Sequence, residues 1–529
     1  MRTNQPFTMS DPRVAPVARR PAGVSIALEG LLALLTVSSV LAVGAVYPWA
    51  YVPLWIGSAL AGFLAWRARG VQPRAAGQRR SRSVLGTAPL LVPGLLFFAW
   101  TLVQLVPLPE AWVDLVAPGR ARYALPSAGT TPFTLGVRDT WRGLAFLTSA
   151  LALHGAASMT FVDAGAHRRL FRGLPFLGLL LAILAAGQVA SGTDRVYGLV
   201  RPVEGPGILF GPFVNRNHFA GYMLMVAPLA LGVVARRLAR YWHVVGQRPS
   251  LSRAVVALGT PQGTAMLYAA LPAAACVTAL LATTSRGGIL AFGLALVLSA
   301  LLHRKRSGLL AVVVSLVLVA LGLGAFGLER LQDRFVRASQ ESGLRTVVWR
   351  DSLEKMKGLW WTGSGLNTFA TVSAGATAWA LPRGATPWPE AWNPASLLAP
   401  RAGVRVAPGA SGWYREAHND YLQVLVESGL PGLLLALWAA VRVLRAAAPD
   451  PWLFAALAGV LLHEVVDFDL QIPAVAALFV ILAGAGPSQG NSITAEIAEK
   501  RRVRREHRKE HQDQHQDRSH AGTSPRELS

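Results

Sequence analysis

Charge is scarce in this sequence. Asp, Glu, Lys and Arg together make up 15% of 529 residues, where soluble domains carry about 25%. That shortage argues against a string of soluble domains, the usual reading of a chain this long. Acidic residues are scarcer than basic ones, 28 against 51, for a formal charge of +23. Cysteine is nearly absent. The lone Cys276 excludes a disulfide within the chain. Its place inside an apolar run argues against a thiol nucleophile.

What replaces charge is hydrophobic length. Apolar residues make up 52% of the chain, and the mean hydropathy is +0.39. Apolar runs near the ~20 residues needed to cross a bilayer recur from end to end. They predict an all-α polytopic membrane protein with about twelve transmembrane helices. The runs fall at 24–46, 49–66, 84–106, 143–162, 174–191, 218–235, 265–284, 286–302, 308–327, 418–441, 451–467 and 470–486. The first follows Arg13, Arg19 and Arg20, as a signal peptide would. Its core exceeds the roughly 7–15 residues of a signal h-region, so it reads as an uncleaved first helix.

An excess of +23 would suit a nucleic-acid binder or the positive-inside rule of membrane proteins. Placement decides for the second. Arg67, Arg69, Arg74, Arg79, Arg80 and Arg82 share one loop. Arg168, Arg169 and Arg172 share another, and Arg236, Arg237, Arg240, Arg248 and Arg253 a third. The connection His303-Arg304-Lys305-Arg306 is also basic. Threading the helices in order puts all four on one side, read as the cytoplasm together with both termini. No nucleic acid is expected as a partner.

The expected organisation is a cytoplasmic tail at 1–23 and helices one to nine over 24–327. A large periplasmic loop follows at 328–417, then helices ten to twelve over 418–486. A polar, disordered cytoplasmic tail is expected at 487–529. The large loop begins with a helical stretch from Leu328 to Lys357 and continues with Gly, Pro and Trp. At about 90 residues it is long enough to escape the charge rule. The His-rich tail could bind a metal, but a solvated polar tail accounts for it.

Charged groups at the ends of membrane helices are functional candidates. Asn215-Arg216-Asn217-His218 opens helix six, where an Arg beside helix N–H groups suits an anion. The same four residues would also serve as a polar cap. Ser285-Arg286-Gly287-Gly288 forms the tight turn between helices seven and eight. Its Arg could engage a ligand or anchor the turn at the interface. His418-Asn419-Asp420-Tyr421 leads the chain back into the membrane. A neutral imidazole there could act as a general base, or simply cap the helix.

The loop adds Arg345 and Arg350 around Trp349, then Trp360, Trp361, Trp379, Trp388, Trp392 and Trp413, which suit an interface or a small core. His463-Glu464-Val465-Val466-Asp467 lacks the second His of a zincin helix. With Asp469 it reads as a polar cluster at the end of helix eleven. His154, alone in mid-helix, reads as structural.

In order along the chain, these motifs resemble the O-antigen ligase and polymerase superfamily. They are Phe213-Val-Asn215-Arg-Asn217-His-Phe-Ala-Gly-Tyr with Pro228 beyond it, then Thr284-Ser285-Arg286-Gly287-Gly288. Next come Arg345 with Trp349 and Gly363-Ser-Gly365, and His418-Asn419 with Tyr421, Glu427, Gly429 and Gly432. Asp467-Phe-Asp-Leu with Pro473 is last. The likeness covers about residues 200–485.

The resemblance implies glycosyl transfer at the periplasmic face of the bacterial inner membrane, in lipopolysaccharide or exopolysaccharide biosynthesis. The donor would be a glycan on undecaprenyl pyrophosphate. The acceptor would be a hydroxyl of a glycan, of lipid A core or of a protein. Membrane lipid is the surrounding partner, and no cofactor or metal is implied. Carried onto this chain, His418 matches the proposed base and Arg286 the Arg thought to engage pyrophosphate. Arg216, Arg345, Asn215, Asn217 and Asn419 would bind substrate.

Ligation and polymerisation both remain open, and protein O-glycosylation stands behind them. A flippase or transporter of lipid-linked saccharides is the rival from another class. Against it, the halves show no repeat. A scaffold for envelope assembly would need no ordered His and Arg pattern. The Pro-rich insert between Gly365 and His418 lies where an acceptor would be recognised.

Overall fold

The computed structural model describes residues 22–69, 88–123, 129–202, 209–246, 250–303, 338–374 and 415–486. These are mostly helical. The first helices are α1 (Ala22–Leu41), α2 (Pro48–Arg69), α3 (Leu91–Leu105) and the short α4 (Glu110–Val116). Next come α5 (Val137–Thr160), α6 (Ala164–Ser191), α7 (Arg216–Val245) and the short α8 (Leu251–Leu258). They are followed by α9 (Pro261–Ala282), α10 (Arg286–His303), α11 (Ala338–Lys355) and α12 (Phe369–Ala374). The last three are α13 (Asp420–Ala447), α14 (Pro451–His463) and α15 (Pro473–Ala485). A two-stranded ribbon pairs β1 (Leu108–Pro109) with β2 (Thr130–Thr131) antiparallel.

Among the described residues, seven helices, α2, α5, α6, α7, α9, α10 and α13, are long and apolar enough to cross a membrane. Four shorter apolar helices, α1, α3, α14 and α15, accompany them. Each corresponds to a run expected from sequence. The expected ninth helix at 308–327 lies outside the described residues. So do most of loop 67–83, the Pro-rich insert and the tail from 487 onward.

Several boundaries differ from the expectation. α6 starts at Ala164, ten residues before the apolar run, because the Asp163 side chain accepts from the Ala166 N–H and caps it. Arg168, Arg169 and Arg172 therefore sit on helix, not in a loop. α7 continues to Val245 and carries Arg236, Arg237 and Arg240 as helix. α5 begins at Val137, and α14 stops at His463. Hydropathy marks the part of a helix that lies in hydrocarbon. Arg is a good helix former, so the backbone keeps winding past it.

α7 is the hub. Every residue from His218 to Gly232 is buried, and the helix packs against α6, α9, α10, α14 and α15. Small residues let the backbones close in. A Cβ on Gly178 of α6 would lie 2.4 Å from the Cys276 sulfur and 2.7 Å from Val226. Cys276 is thus a packing residue. His154 on α5 also has a structural task. Its Nδ1 lies 2.9 Å from the Val480 carbonyl, and its Nε2 accepts from the Leu90 N–H at 3.2 Å.

A second, smaller core forms from two connections. Val113, Tyr123, Phe133 and Leu135 pack with Val348, Met356, Leu359, Phe369, Ala417 and Val426. Trp349 joins its edge, with Nε1 donating to the Ala417 carbonyl at 2.9 Å. Trp361, by contrast, is 64% exposed. The expected choice between core and interface thus divides by residue. Trp379, Trp388, Trp392 and Trp413 lie outside the described residues.

This core is joined to the bundle at a break in α13. Gly429 has φ +65° and ψ −171° inside the helix, which releases carbonyls from the helical ladder. The Val426 carbonyl accepts from the Ser364 N–H at 3.0 Å, and the Glu427 carbonyl from the Gly365 N–H at 2.8 Å. Gln104 Nε2 bridges the Thr362 and Glu427 carbonyls at 2.7 and 2.8 Å. The Glu427 carboxylate accepts from the Asn367 and Phe369 N–H groups at 2.6 and 3.1 Å.

Candidate active site

The helix ends that sequence singled out meet at one end of the bundle. Their shared centre is the connection between α14 and α15, residues 464–472. It carries Asp467 and Asp469, 1% and 0% exposed. Two carboxylates so deeply buried require partners, and each finds them on distant elements.

Asp469 is held by two imidazoles. His218 Nδ1 donates to its Oδ1 at 2.8 Å and His463 Nδ1 to its Oδ2 at 2.6 Å. Room for it comes from Gly221, one turn along α7 from His218, where a Cβ would lie 2.0 Å from Oδ2. Asp467 faces the candidate catalytic groups. Its Oδ2 accepts from Asn217 Nδ2 at 2.8 Å and lies 3.5 Å from Arg345 Nη2. Its Oδ1 accepts from the Phe468 N–H at 3.1 Å and lies 3.8 Å from His418 Nδ1. Burial by itself would raise the Asp467 carboxyl. The interaction with His418 and the charges of the His218 and His463 imidazoles outweigh it and hold the group below the usual carboxylate range.

His418 is at φ +49°, in the left-handed region that favours glycine and that other residues rarely adopt. Such strain persists only where surroundings impose it. The imposing contacts are close by. Asn419 caps α13 by accepting from the Leu422 N–H at 3.0 Å. The Asp420 N–H reaches the Glu464 and Asp467 carbonyls at 2.9 and 3.2 Å. Phe468 stands edge-on between two imidazoles, with ring centroids 4.7 Å from His218 and 5.0 Å from His418. Nδ1 of His418 is buried without a hydrogen bond, while the side chain is 39% exposed. The accessible edge of the ring is therefore the one carrying Nε2.

The other candidates arrive at the same place. Arg216 opens α7, and its Nη1 lies 3.4 Å from Thr284 Oγ1. Thr284, at φ +51°, makes the turn that leads into α10. Arg286 is half-buried at the first position of α10. Gly287 beside it allows contact with His463, whose Nε2 would meet a Cβ there at 3.1 Å. Gly288 gives similar room to Ala220 of α7, at 2.9 Å. Asn215 caps α7 by accepting from the Asn217 N–H at 2.9 Å. Of the three Asn candidates, Asn215 and Asn419 thus direct Oδ1 into helix ends, and Asn217 holds Asp467. Arg350, paired with Arg345 in the sequence reading, is exposed.

The polar cluster expected at the end of helix eleven is present, but its rank was missed. Asp467 and Asp469 organise the site. The signal available in sequence was their charge in a short connection between two apolar runs. Glu464 completes the group by accepting from the Asp469 N–H at 2.8 Å. Burial and then the Asp420 charge push Glu464 well above the usual carboxylate range.

Ligand atoms of His218, Asp467 and Asp469 lie within 4.8 Å of one another, close enough to bracket a cation. Their chemistry argues otherwise. All four carboxylate oxygens already accept hydrogen bonds, and Arg345 supplies a positive charge at Asp467.

No curated protein matches the chain. Residues 271–437 match the family model described as O-antigen ligase. That stretch contains Arg286, Arg345, His418 and the break at Gly429. Arg216, Asn217, His218, His463, Asp467 and Asp469 come from outside it. The match places residues 271–437 in the O-antigen ligase and polymerase superfamily.

Proposed function

We propose that this protein is a membrane glycosyltransferase. It moves an oligo- or polysaccharide from undecaprenyl pyrophosphate to an acceptor hydroxyl at the end of the bundle that carries His418. That end reads as the periplasmic face of the inner membrane, with both termini cytoplasmic. The family match supports O-antigen ligase or polymerase chemistry in general. The observation that carries the finer reading is the meeting of His418 and Arg345 at one buried carboxylate, Asp467.

The chemistry follows from those groups. The acceptor oxygen attacks the anomeric carbon of the donor as the bond from that carbon to the pyrophosphate oxygen breaks. The acceptor proton passes to Nε2 of His418. Asp467, facing Nδ1, steadies the imidazolium that forms. The leaving pyrophosphate carries negative charge, which the guanidinium groups of Arg286, Arg216 and Arg345 stabilise where water is scarce. Attack opposite the leaving group inverts the anomeric centre. No metal enters this scheme. The acceptor is a hydroxyl of a glycan, of lipid A core or of a protein.

The test is His418→Ala in cells, with lipid-linked glycans extracted afterwards. The expected result is completed donor on the outer leaflet and no conjugate. Wild-type conjugate with the variant present in the membrane would remove His418 from the reaction. Donor confined to the cytoplasmic leaflet would make the protein a flippase.

A further inference from the structure

The end of the bundle remote from His418 is basic and carries a cavity of its own. Arg237 and Arg240 of α7, with Pro261 and Gln262 at the start of α9, line a cavity of about 230 Å³. Residues at i and i+3 share one face of a helix, so both guanidiniums border the same space. The charges within reach of Arg237 are Arg240 and Arg172, both of its own sign. Among the described residues, neither Arg237 nor Arg240 has an ion-pair partner. The acids described at this end act elsewhere: Asp450 on Arg236 and His167, and Glu29 and Asp163 on Arg169. Among the described residues, the charge that walls the cavity is therefore positive and uncompensated.

Its surroundings are apolar in a particular way. α8 lies beside the last turns of α7. Ala257 is buried, Ala254 and Leu258 are partly buried against Tyr241 and Val245, and Tyr241 Oη donates to the Ala254 carbonyl at 2.5 Å. Its outward arc exposes Leu251, Val255 and Val256, at 84%, 59% and 72%. Trp242 is exposed next to it. Further along α9 from Pro261, Leu267, Tyr268 and Leu271 are exposed on a helix apolar enough to cross a membrane. On α8, Ser252 and Arg253 are exposed beside the apolar residues, and a short helix with one packed face and a mixed apolar and basic outward side suits the bilayer interface. α7, 30 residues long, spans about 45 Å, more than the ~30 Å hydrocarbon core. Its end at Val245 thus reaches headgroup level.

We infer that this cavity binds the headgroup of an anionic phospholipid. The lipid phosphate lies between Arg237 and Arg240, the acyl chains run along Leu267, Tyr268 and Leu271, and α8 rests in the interface beside it. Charge complementarity selects the class. A zwitterionic headgroup brings its own cation and adds no net charge, whereas a net negative one offsets part of the charge of the two guanidiniums. The inference is independent of the transfer reaction proposed above.

The test is native mass spectrometry of the full chain in detergent with phosphatidylglycerol or phosphatidylcholine added. The expected result is selective retention of phosphatidylglycerol. Arg237→Gln/Arg240→Gln should lose that selectivity roughly tenfold or more, as expected when two surface cations are removed from an anionic lipid. Arg201→Gln, in a loop and paired with Asp194 at 3.6 Å, should keep it. A thermal-shift measurement guards against misfolding: phosphatidylglycerol should raise the melting temperature of the parent and not that of the double variant. Three results would overturn the inference: equal retention of the two lipids, undiminished selectivity in the double variant, or displacement of the lipid by millimolar inorganic phosphate, which would make this a free-phosphate site.

Discussion

Gly363 and Gly429 close against each other, one from the connection after α11 and one from the break in α13. A Cβ on Gly363 would lie 2.6 Å from the Gly429 nitrogen, and a Cβ on Gly429 would lie 2.9 Å from the Gly363 nitrogen. Both have positive φ, +66° and +65°. Two motif pieces that are far apart in sequence thus form one joint, which fastens the small core to the bundle near His418.

Gly429→Ala should loosen that joint. Its φ and ψ fall in a region open almost only to glycine, and forcing another residue there costs about 1–3 kcal/mol. The new Cβ would also meet the Trp361 carbonyl at 2.7 Å. We expect a lower melting temperature in detergent and faster proteolysis of the 338–374 segment. An unchanged melting temperature would count against the joint.

Asp467→Asn preserves shape and removes charge. We expect a folded protein with conjugate formation reduced about 100-fold, the low end of what a positioned base contributes. Activity close to the parent would deny Asp467 a role in holding His418. The pH sign is fixed by the depressed carboxyl of Asp467. The stability that its ionised form contributes is fully present above about pH 4, its unfolded value. It is lost only as pH falls through the depressed folded value. Acid titration of melting temperature should show the parent losing stability in that range and Asp467→Asn lacking this component.

Arg286→Lys should keep charge and lose most activity, because an ammonium cannot make the planar two-pronged contact of a guanidinium with phosphate oxygens. We expect at least about a tenfold loss, one interaction of roughly 1.4 kcal/mol or more, read as product formed per unit of protein. Full activity in Arg286→Ala would take this residue out of the site.

Gly221→Ala tests the clamp on Asp469. With its Cβ 2.0 Å from Oδ2, the carboxylate has to leave the line between His218 and His463. Overpacking of this kind costs about 1–3 kcal/mol, and the displaced connection carries Asp467 with it. Both melting temperature and activity should fall. Loss of neither would mean the connection adjusts without consequence.

His154→Leu should destabilise without touching the chemistry. It strands the Leu90 N–H and the Val480 carbonyl, and a buried polar group left without its partner costs about 1–3 kcal/mol. Product per folded molecule should stay at the parent level while the melting temperature drops.

What sequence alone determined here is local in origin. A run of apolar residues crosses hydrocarbon whatever its neighbours do, so eleven helices could be located from composition and order. Arg286 and His418 could be singled out because charge at the end of an apolar run is costly wherever it occurs. The ends of α6 and α7 were misjudged for a related reason: capping and helix propensity, not hydropathy, decide where winding stops.

Tertiary structure decided which polar groups meet. His218 and Asp469 are 251 positions apart, and Asn217 and Asp467 are 250 apart. Nothing in the local pattern of either partner names the other. The pairing follows from the packing of α7 against α14 and α15, which buries two carboxylates and so requires donors from whichever helices lie alongside. The glycines at 221, 287, 363 and 429 stand in the sequence as pieces of the ordered motifs. Only the packed structure shows what each one makes room for.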